Sequence, residues 1–451
     1  MTIFGLPERR VLALADAVRG DATTDAAPGG SVTAASNATS DAATSDAATS
    51  NAEAANTAAE DGWAEVFARA AWTGIAEPGD GIAGLVVGGL GATMGLTAVV
   101  EGWPPARLAA LLVESGIDDS EDELGSSLEQ GLLRWRPRLS SADVERSLQL
   151  AARVGARLLL PRDELWPAGL NDLGAHAPLA LWWRGTAAAL AGLRPSIALV
   201  GARAATGYGE HVAMEAAAGL VDRGFTIVSG AAYGIDGMAH RAALASEGLT
   251  VAFLAGGVDR FYPSGHDALL TRIAADGVVL SELTCGSAPT KWRFLQRNRL
   301  IAASSLATVV LEAGWRSGSL NTAGHAAALG RPLGAVPGPV SSPTSAGCHR
   351  LIREFDAVCV TTAAEMAELV GERSVQVALD VPGTDGGDAE AAGRTSDQVR
   401  VFDSLSGRSP RDLPDIARRA GLSTSAVRAA LGALDVDGAV GERENGWVRA
   451  H

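Results

Sequence analysis

Four basic side chains stand within the nine residues KWRFLQRNR, with no acidic residue between them: Lys291, Arg293, Arg297 and Arg299. Lys291 is the only lysine of the chain. An apolar, β-branched run follows at 307–311, and then the small-residue turn Ser317-Gly318-Ser319. Arginine binds phosphate in a bidentate way, and a helix that begins at such a turn offers free N–H groups to the same anion. The stretch therefore fits phosphate binding, although a solvated basic helix face beside an ordinary turn explains the same residues.

Uniformly apolar segments alternate with helix-length segments on both sides of this stretch. The predicted strands cover 157–160, 196–201, 225–230, 250–257, 278–282, 307–313 and 331–338. Strands without polar alternation are typical of a parallel sheet that helices cover on both faces. The sequence therefore predicts an α/β fold, with a doubly wound, mostly parallel Rossmann-like sheet.

Ligands of such sheets bind beyond the carboxyl ends of the strands. The residues at these ends are mostly glycine and serine, as in Ser229-Gly230, and Arg203 follows the strand predicted at 196–201. Small residues let a ligand approach the backbone, and an arginine supplies positive charge. We therefore expect Arg203 to lie where a phosphate group would bind.

The composition limits the class of protein. A chain of 451 residues predicts two to four domains. Its net charge of −15 argues against a wholly basic nucleic-acid coat protein but does not exclude a local basic groove. The three cysteines form no CxxC motif, and the first twenty residues show no export signal. We therefore expect a cytoplasmic protein.

One uncharged segment, 81–100, has the length of a membrane span. It contains six glycines, and Asp80 and Glu101 flank it where basic residues would be expected. The run Gly88-Gly89-Leu90-Gly91 indicates a break between two short buried helices. We therefore expect no contact with a membrane.

The order of segments predicts an N-terminal helix at 1–19 and a disordered low-complexity insert at 20–61. A small helical domain, of the SAM or helix-hairpin-helix type, is expected at 62–155, with a helix capped near Ser140. The Rossmann-like domain covers 156–371, including a lead-in at 156–195. A Gly/Asp/Ala-rich linker at 372–397 precedes a C-terminal winged helix at 398–451.

The winged-helix prediction depends on two helices joined at Gly421, with the second helix capped by Ser423 or Thr424, and on a hairpin with an Asn-Gly turn. The second helix carries a single basic residue, Arg428. It therefore predicts weak reading of a DNA major groove, and a regulatory or protein-docking role is an open alternative.

Motifs for catalysis are absent from the sequence. It has no GxxxxGK[ST], no GxGxxG after the first parallel strand and no HExxH or metal-spaced histidine cluster. Asp236 and His240 are interpreted as a helix-capping carboxylate and a packed imidazole. Glu282 and Glu312 are interpreted as acceptors for loop amides. We therefore expect a binding site without a catalytic group, cofactor or metal.

The motifs along the α/β region have a familiar order. They are VGARAATGYG (200–209), SGAAYGIDGMAH (229–240), LAGGVDRFYPSGH (254–266), LSE (280–282), FLQRNRLIAASS (294–305), LEAGWRSGSLNTAGHAAALGRPLGAVPG (311–338) and AGCHRLI (346–352). In these segments, which span about 196–360, the chain resembles the DprA/Smf family of DNA-processing proteins. The expected helical and winged-helix domains agree with that family's architecture.

This resemblance implies a protein that binds single-stranded DNA and loads a RecA-type recombinase onto it, in natural transformation or recombination, without being an enzyme. It also implies a head-to-head homodimer. By motif, phosphate contacts would come from Arg203, Arg297 and Arg299, with Lys291 and Arg293 extending the basic rim. The remaining expected site residues are Ser229, Gly230, Asn298, Ser317, Gly318, Ser319 and Thr322. Replacing Arg203 or Arg297 by alanine would then weaken DNA binding and leave the fold intact.

The chain departs from the family pattern at one site position, where GAR stands in place of the usual GSR. The alanine removes one hydroxyl contact. The insert at 20–61 also lies outside the family pattern.

Two other functions are considered. Nucleotide phosphoribohydrolases share a glycine-rich turn before a helix, but their carboxylates are replaced here by Ala323, Gly324 and His325 after Thr322. A nucleotide-sensing transcription regulator would use the winged helix to read duplex DNA, which the low charge of its second helix disfavours.

Overall fold

The structure is a computed structural model that describes residues 2–19, 62–371 and 394–450. The insert predicted at 20–61 lies entirely outside the described residues. Most of the predicted linker, residues 372–393, also lies outside them.

The N-terminal helical domain begins with a two-stranded hairpin, β1 (Thr2–Ile3) and β2 (Leu6–Pro7). Its helices are α1 (Glu8–Arg19), α2 (62–75), α3 (Gly81–Leu90), α4 (Ala92–Val100), α5 (Pro105–Glu114), α6 (Glu121–Trp135) and α7 (Ser141–Arg153). Ser140 caps α7 by accepting from the N–H of Asp143 at 3.2 Å, which confirms the predicted helix start.

Two buried tryptophans join the helices of this domain. The rings of Trp72 and Trp135 meet edge to face with centroids 5.2 Å apart, and the Trp72 Nε1–H donates to the carbonyl of Ala92. Edge-to-face contacts and a satisfied indole N–H make such a pair a stable anchor for the surrounding leucines. The hydrophobic core is therefore continuous between α2, α4 and α6.

The uncharged segment 81–100 forms two helices, α3 and α4, that are bent by 115° at Gly91. Gly91 has a φ of 79°, a conformation that glycine adopts without steric cost. The predicted break is confirmed. Among the described residues, no single helix has the length and apolar character that crossing a membrane requires.

The central sheet has nine strands in the order β11-β10-β9-β5-β6-β7-β8-β4-β3. The strands are β3 (Arg157–Leu159), β4 (Leu181–Gly185), β5 (Ser196–Gly201), β6 (Thr226–Ser229), β7 (Thr250–Phe253), β8 (Val278–Ser281), β9 (Ala307–Glu312), β10 (Leu333–Ala335) and β11 (Val358–Cys359). The run from β11 to β8 is parallel, and β4 is antiparallel to both β8 and β3. The predicted mostly parallel α/β sheet is confirmed, and the lead-in adds its antiparallel edge.

Strand order reverses next to β5, which fixes where a ligand can enter. From β5 the chain proceeds through β6, β7 and β8 on one side, and then returns to place β9, β10 and β11 on the other. The loops that leave β5 and β9 therefore diverge and open a crevice between them. Several strands end earlier than predicted because their terminal glycines, such as Gly230 and Gly257, belong to the loops at this edge.

Helices cover both faces of the sheet. They are α8 (Ala187–Ala191), α9 (Gly207–Val221), α10 (Ile235–Ala245), α11 (Asp267–Asp276), α12 (Lys291–Ser304), α13 (Ser319–Ala328), α14 (Ala346–Glu354) and α15 (Ala363–Gly371). Side chains that alternate along β5, such as Ala198 and Val200 against Ile197 and Leu199, belong to two separate hydrophobic clusters. The two clusters are the cores of the two faces.

The C-terminal domain contains α16 (Ser396–Ser404), α17 (Leu413–Ala420), α18 (Thr424–Val436) and a hairpin of β12 (Val440–Arg443) and β13 (Gly446–Arg449). This winged helix confirms the predicted outline. Gly421 ends α17 with a φ of 65°, and Ser423 caps α18. The domain begins with the capping box of Thr395, slightly before the predicted boundary. The hairpin loop is Glu444-Asn445, one residue earlier than the predicted Asn-Gly turn.

Candidate nucleic-acid interface

A cavity of about 470 Å³ lies at the carboxyl ends of β5 and β9, in the crevice where strand order reverses. The loops after β5 and β9 and the helices α10, α12 and α13 contribute most of its wall. The winged helix closes the remaining side through Ser396, Val399 and Arg400 on α16. The cavity therefore lies between the Rossmann-like domain and the winged helix, which the sequence did not indicate.

Three cations on the cavity wall are exposed: Arg203 after β5, Lys291 at the start of α12, and Arg316 in the loop before α13. Among the described residues, none of them forms an ion pair with a carboxylate. An exposed guanidinium without a carboxylate partner keeps its donors available to an incoming anion. The structure thus places Arg203 and Lys291, both predicted site residues, beside one cavity together with Arg316.

Phe294 forms an apolar surface among these cations. The guanidinium carbons of Arg203 and Arg297 lie 5.0 and 5.8 Å from the centre of its half-buried ring, within the range of cation–π attraction. Tyr262 packs against the ring with centroids 5.6 Å apart. Phe294 was not among the predicted site residues, although an aromatic residue next to basic ones in KWRF is a signal for nucleic-acid binding.

Arg297 also borders the cavity, but its guanidinium is bound to the protein. Only 6% of the residue is exposed, and Nη1 donates to the carbonyls of Gly230 and Phe253, both at 2.6 Å. Burial lowers its pKa to about 10, and Asp236 opposes that shift. Arg297 was expected to contact DNA phosphates. The structure gives its side chain a structural role instead, because it joins α12 to the ends of β6 and β7.

Gly230 and Ser229 are explained by this arginine and by the sheet. A Cβ atom at Gly230 would clash with the guanidinium of Arg297, so a larger residue there would displace that guanidinium. The hydroxyl of the fully buried Ser229 donates to the carbonyl of Leu199 at 2.6 Å. Neither residue lines the cavity, which differs from their predicted placement in the pocket.

Arg299 does not reach the cavity either. The residue is 4% exposed, and its Nη2 donates to both carboxylate oxygens of Glu282, at 2.7 and 2.6 Å. A phosphate contact would require this buried ion pair to break. The predicted DNA contact of Arg299 is therefore corrected to a structural role, holding α12 against the end of β8.

Arg293 is buried in the same way. Its guanidinium donates to both carboxylate oxygens of Glu77, at 3.1 and 2.7 Å, and to the carbonyl of Ala288 at 2.8 Å. Burial alone would raise the pKa of the Glu77 carboxyl, but Arg138 and Arg293 hold it well below its usual range. Arg293 therefore joins the helical domain to α12, and the predicted basic rim lacks it.

The small-residue turn lies at the cavity as predicted. Ser317, Gly318, Ser319, Thr322 and Asn298 all line it. The Ser317 and Ser319 hydroxyl oxygens are 2.8 Å apart, and the Asn298 Nδ2 donates to the side-chain oxygen of Asn321 at 3.2 Å. Gly318 precedes α13 without a side-chain cap. The N–H groups of Leu320 and Asn321 donate to the carbonyls of Ser317 and Gly318, so both are engaged within the turn.

The carboxylates near the cavity are engaged by neighbouring groups. Asp236 accepts from the N–H groups of Gly230 and Ala232, and burial raises its pKa while Arg297 opposes the rise. Glu312 accepts from the N–H and hydroxyl of Thr206 and from the hydroxyl of Thr344. Glu282 and Glu312 accept from loop amides, as interpreted from the sequence. Asp236 does not cap α10, which begins after Gly234 without a side-chain cap, and instead binds the loop before that helix.

Together these features define an α/β protein with a cavity lined by arginine and lysine at a strand-order reversal and a winged-helix domain beside it. Residues 157–371 match the family model for DNA recombination-mediator protein A, and residues 387–446 match the DprA winged helix domain. A DNA processing protein DprA of Mycobacterium tuberculosis (strain H37Rv) is 45% identical over 359 residues, which cover 76% of this chain and 90% of that protein. The chain belongs to the DprA/Smf family of DNA-processing proteins.

Two further comparisons agree with this family. Protein Smf of Escherichia coli K12 is 39% identical over 212 residues, covering 47% of this chain and 56% of that protein. The X-ray structure of DprA from Streptococcus pneumoniae has a TM-score of 0.52 and 29% identity, covering 68% of this chain and 97% of that one. The predicted resemblance is therefore confirmed.

Proposed function

We propose that this protein binds single-stranded DNA, without sequence preference, in the cavity at the ends of β5 and β9. The observation that carries the proposal is that three exposed cations, Arg203, Lys291 and Arg316, line one cavity with the half-buried ring of Phe294. Cations along a groove bind the phosphate chain, while an aromatic face stacks on any base. The combination gives affinity that does not depend on sequence.

The cavity favours a single strand over a duplex for a physical reason. A base can stack on Phe294 only when it is free of its neighbours, whereas bases of a duplex are held in the stack at a cost of a few kcal/mol to extract. The phosphate beside such a base would face Arg203 and the turn Ser317-Gly318-Ser319, which line the same cavity. An unpaired strand thus meets the ring and the cations together.

The same site supports a carrier of DNA and not an enzyme. Glu312 and Asp236, the carboxylates beside the cavity wall, are held by hydrogen bonds to neighbouring loops. A general base must be within hydrogen-bond reach of the proton it removes and free to accept it. With these carboxylates engaged, the bound strand would remain unmodified.

The bound strand would then be delivered to a RecA-type recombinase, with the protein acting as a homodimer in natural transformation or DNA recombination. The family to which the chain belongs supports this part of the proposal. A recombinase-loading assay tests it. The expected result is faster recombinase assembly on a strand precoated with a single-strand-binding protein, and unchanged assembly would overturn the loading role.

Fluorescence anisotropy tests the binding itself. Labelled oligo(dT) and a duplex of matched length are titrated at several salt concentrations between about 50 and about 200 mM. The expected result is tight binding of the single strand, with a slope of log K against log salt near −2 for about three phosphate contacts, and weak binding of the duplex. Equal binding of both would favour a winged-helix regulator, and absent binding would overturn the proposal.

A further inference from the structure

A second concave site lies beside the C-terminal end of α16, next to the cavity. This groove, of about 630 Å³, is bounded by α7 of the helical domain, the loop 284–290 before α12, and the winged helix. We call it the junction groove because all three domains line it. Its charged lining residues are Arg138, Asp143, Arg146, Arg153, Arg293, Asp403, Arg411, Arg418 and Arg419.

Arginines outnumber carboxylates at the mouth of the junction groove. Asp415 is shared by Arg411, Arg418 and Arg419, with nitrogen–oxygen distances of 3.9 Å to Arg411 and 2.8 Å to Arg419. Asp143 is shared by Arg146 and Arg418. Burial and then the nearby Arg419 lower the pKa of the Arg411 guanidinium. The ion pairs therefore leave positive charge uncompensated, in a protein whose total charge is −15.

Arg153 adds a cation that is exposed and forms no ion pair with any described residue. The side chain of Arg146 is 68% exposed, and that of Arg419 is 45% exposed. Interdomain ion pairing accounts for Arg418, which bridges the helical domain and the winged helix. It does not account for Arg146, Arg153 and Arg419, whose guanidinium groups face solvent along the groove.

The floor of the groove is positive as well. Glu77 is the carboxylate partner of both Arg138 and Arg293. The Arg400 guanidinium interacts electrostatically with all three of these charged groups. Burial lowers the pKa of Arg138 and Arg400, and Glu77 opposes both shifts. Arg138 and Arg293 line the junction groove, while Arg400 lines the cavity. Three guanidinium groups around one carboxylate thus extend positive potential from one site to the other.

Only a thin partition separates the two sites. One end of α16 faces the cavity through Val399 and Arg400, and its other end faces the groove through Asp403 and Ser404. The main-chain N–H of Lys291 donates to Asp403 at 3.1 Å, and the Arg400 guanidinium lies 5.2 Å from the centre of the Trp292 ring. A strand that leaves the cavity past Lys291 therefore meets the arginines of the groove next.

We propose that the junction groove is a second nucleic-acid site, which binds the phosphate backbone of the same single strand where it extends beyond the cavity. This inference rests on the proposed function. Planar guanidinium groups facing solvent suit phosphate oxygens, and continuity with the cavity favours a nucleic acid over an acidic protein segment. The helical and winged-helix domains thereby contribute to DNA affinity, although α18 carries a single arginine.

The test uses the full chain with Arg146→Gln, Arg153→Gln and Arg419→Gln combined. These side chains are exposed and do not hold the winged helix in place. The matched control combines Arg9→Gln, Arg223→Gln and Arg353→Gln, which remove the same charge from exposed positions outside both sites. Binding is measured with oligo(dT) of about 5 nucleotides, which can fill only the cavity, and of about 20 nucleotides, which can reach the groove.

The expected result is that the groove variant binds the short strand as the wild type does and binds the long strand at least tenfold more weakly. Its salt slope for the long strand should fall by about 2, since each lost contact removes about 0.7. The control variant should keep the wild-type slope. Equal binding of the long strand by both variants would overturn the inference, and so would an equal loss for short and long strands.

Failure of the proposed function has a different signature. In that case the wild type would not bind the short strand, or Arg203→Gln would leave binding of the short strand unchanged.

A second variant tests the junction groove through an expected gain of DNA affinity. Asp143→Asn releases Arg146 and Arg418 from their shared carboxylate, so it should tighten binding of the long strand about twofold or more. A purely structural role for these arginines predicts no gain.

Discussion

The exposed cations around the cavity and the buried arginines of α12 carry the same charge but have different partners. Arg203 and Lys291 face solvent without a carboxylate partner among the described residues, whereas Arg293 and Arg299 each donate to both oxygens of one buried carboxylate. Lys291 and Arg293 are only two residues apart in sequence. Position on the helix, and not residue type, therefore separates a ligand-binding cation from a structural one.

The difference shows how distant carboxylates determine what an arginine does. Glu77 is 216 residues from Arg293 in the chain, and Glu282, the partner of Arg299, lies directly after β8. A guanidinium that forms an ion pair with such a carboxylate in the interior stays bound to it, because breaking the pair would leave a buried charge without a partner. A guanidinium at the crevice has no such partner and remains available to phosphate. Variants of the exposed cations should therefore lose DNA affinity, whereas variants of the buried arginines should lose folding stability.

The largest effect is expected for Arg299→Met, which leaves the Glu282 carboxylate buried without its partner. Removing one member of a buried pair costs about 3–5 kcal/mol of unfolding free energy. Urea denaturation measures it, and Arg299→Met combined with Glu282→Gln should recover part of the loss. A stability loss below about 1 kcal/mol would show that the pair contributes little.

Arg297→Ala should also destabilise the protein, by about 2–3 kcal/mol, because the carbonyls of Gly230 and Phe253 lose a charged donor. The sequence alone predicted an intact fold for this variant. Weaker DNA binding by Arg297→Ala would therefore be accompanied by a lower denaturation midpoint. An unchanged midpoint would return Arg297 to the group of ligand-binding cations.

Phe294→Leu separates stacking from charge. The variant removes the aromatic face but keeps an apolar side chain, so single-strand binding should weaken by about 1–2 kcal/mol. The slope of log K against log salt should not change, since no cation is lost. Anisotropy titrations over a salt series measure both quantities. A change of slope without loss of affinity would contradict the role given to the ring.

The smallest effect is expected for the stability of the protein as the pH is lowered. Because Arg138 and Arg293 hold the pKa of the Glu77 carboxyl below its usual range, its contribution to stability is present above the unfolded-state pKa near 4.5 and is lost as pH falls below that value. Denaturation midpoints between about pH 5 and about pH 3 should therefore fall more in the wild type than in Glu77→Gln. Equal decreases would show that Glu77 is not coupled to these arginines.

Much of this architecture could be predicted from sequence, for reasons visible in particular elements. Apolar strands such as β5 and β9 fixed the parallel sheet, the Asp80–Glu101 segment contained its own break at Gly91, and Gly421 marked the helix-turn-helix. The positions of Arg203 and of the turn Ser317-Gly318-Ser319 followed from strand ends. These features depend on local patterns, which a sequence displays directly.

The burial of Arg293, Arg297 and Arg299 could not be predicted in this way. Their partners, Glu77, the carbonyl of Gly230 and Glu282, come from other elements, and local composition only shows a basic run. For the same reason, the junction groove could not be predicted from the sequence, because its arginines come from separate elements, mainly α7 and the region around α17. Contacts between domains depend on packing that no single segment encodes.

Salt-dependent binding by one matched pair of variants tests the central claim most directly. Arg203→Gln removes an exposed cation from the cavity, and Arg223→Gln removes one near the far end of α9. For a short oligo(dT), Arg203→Gln should weaken binding and reduce the slope of log K against log salt by about 0.7, while Arg223→Gln matches the wild type. Identical slopes for the two variants would contradict a DNA site at the ends of β5 and β9.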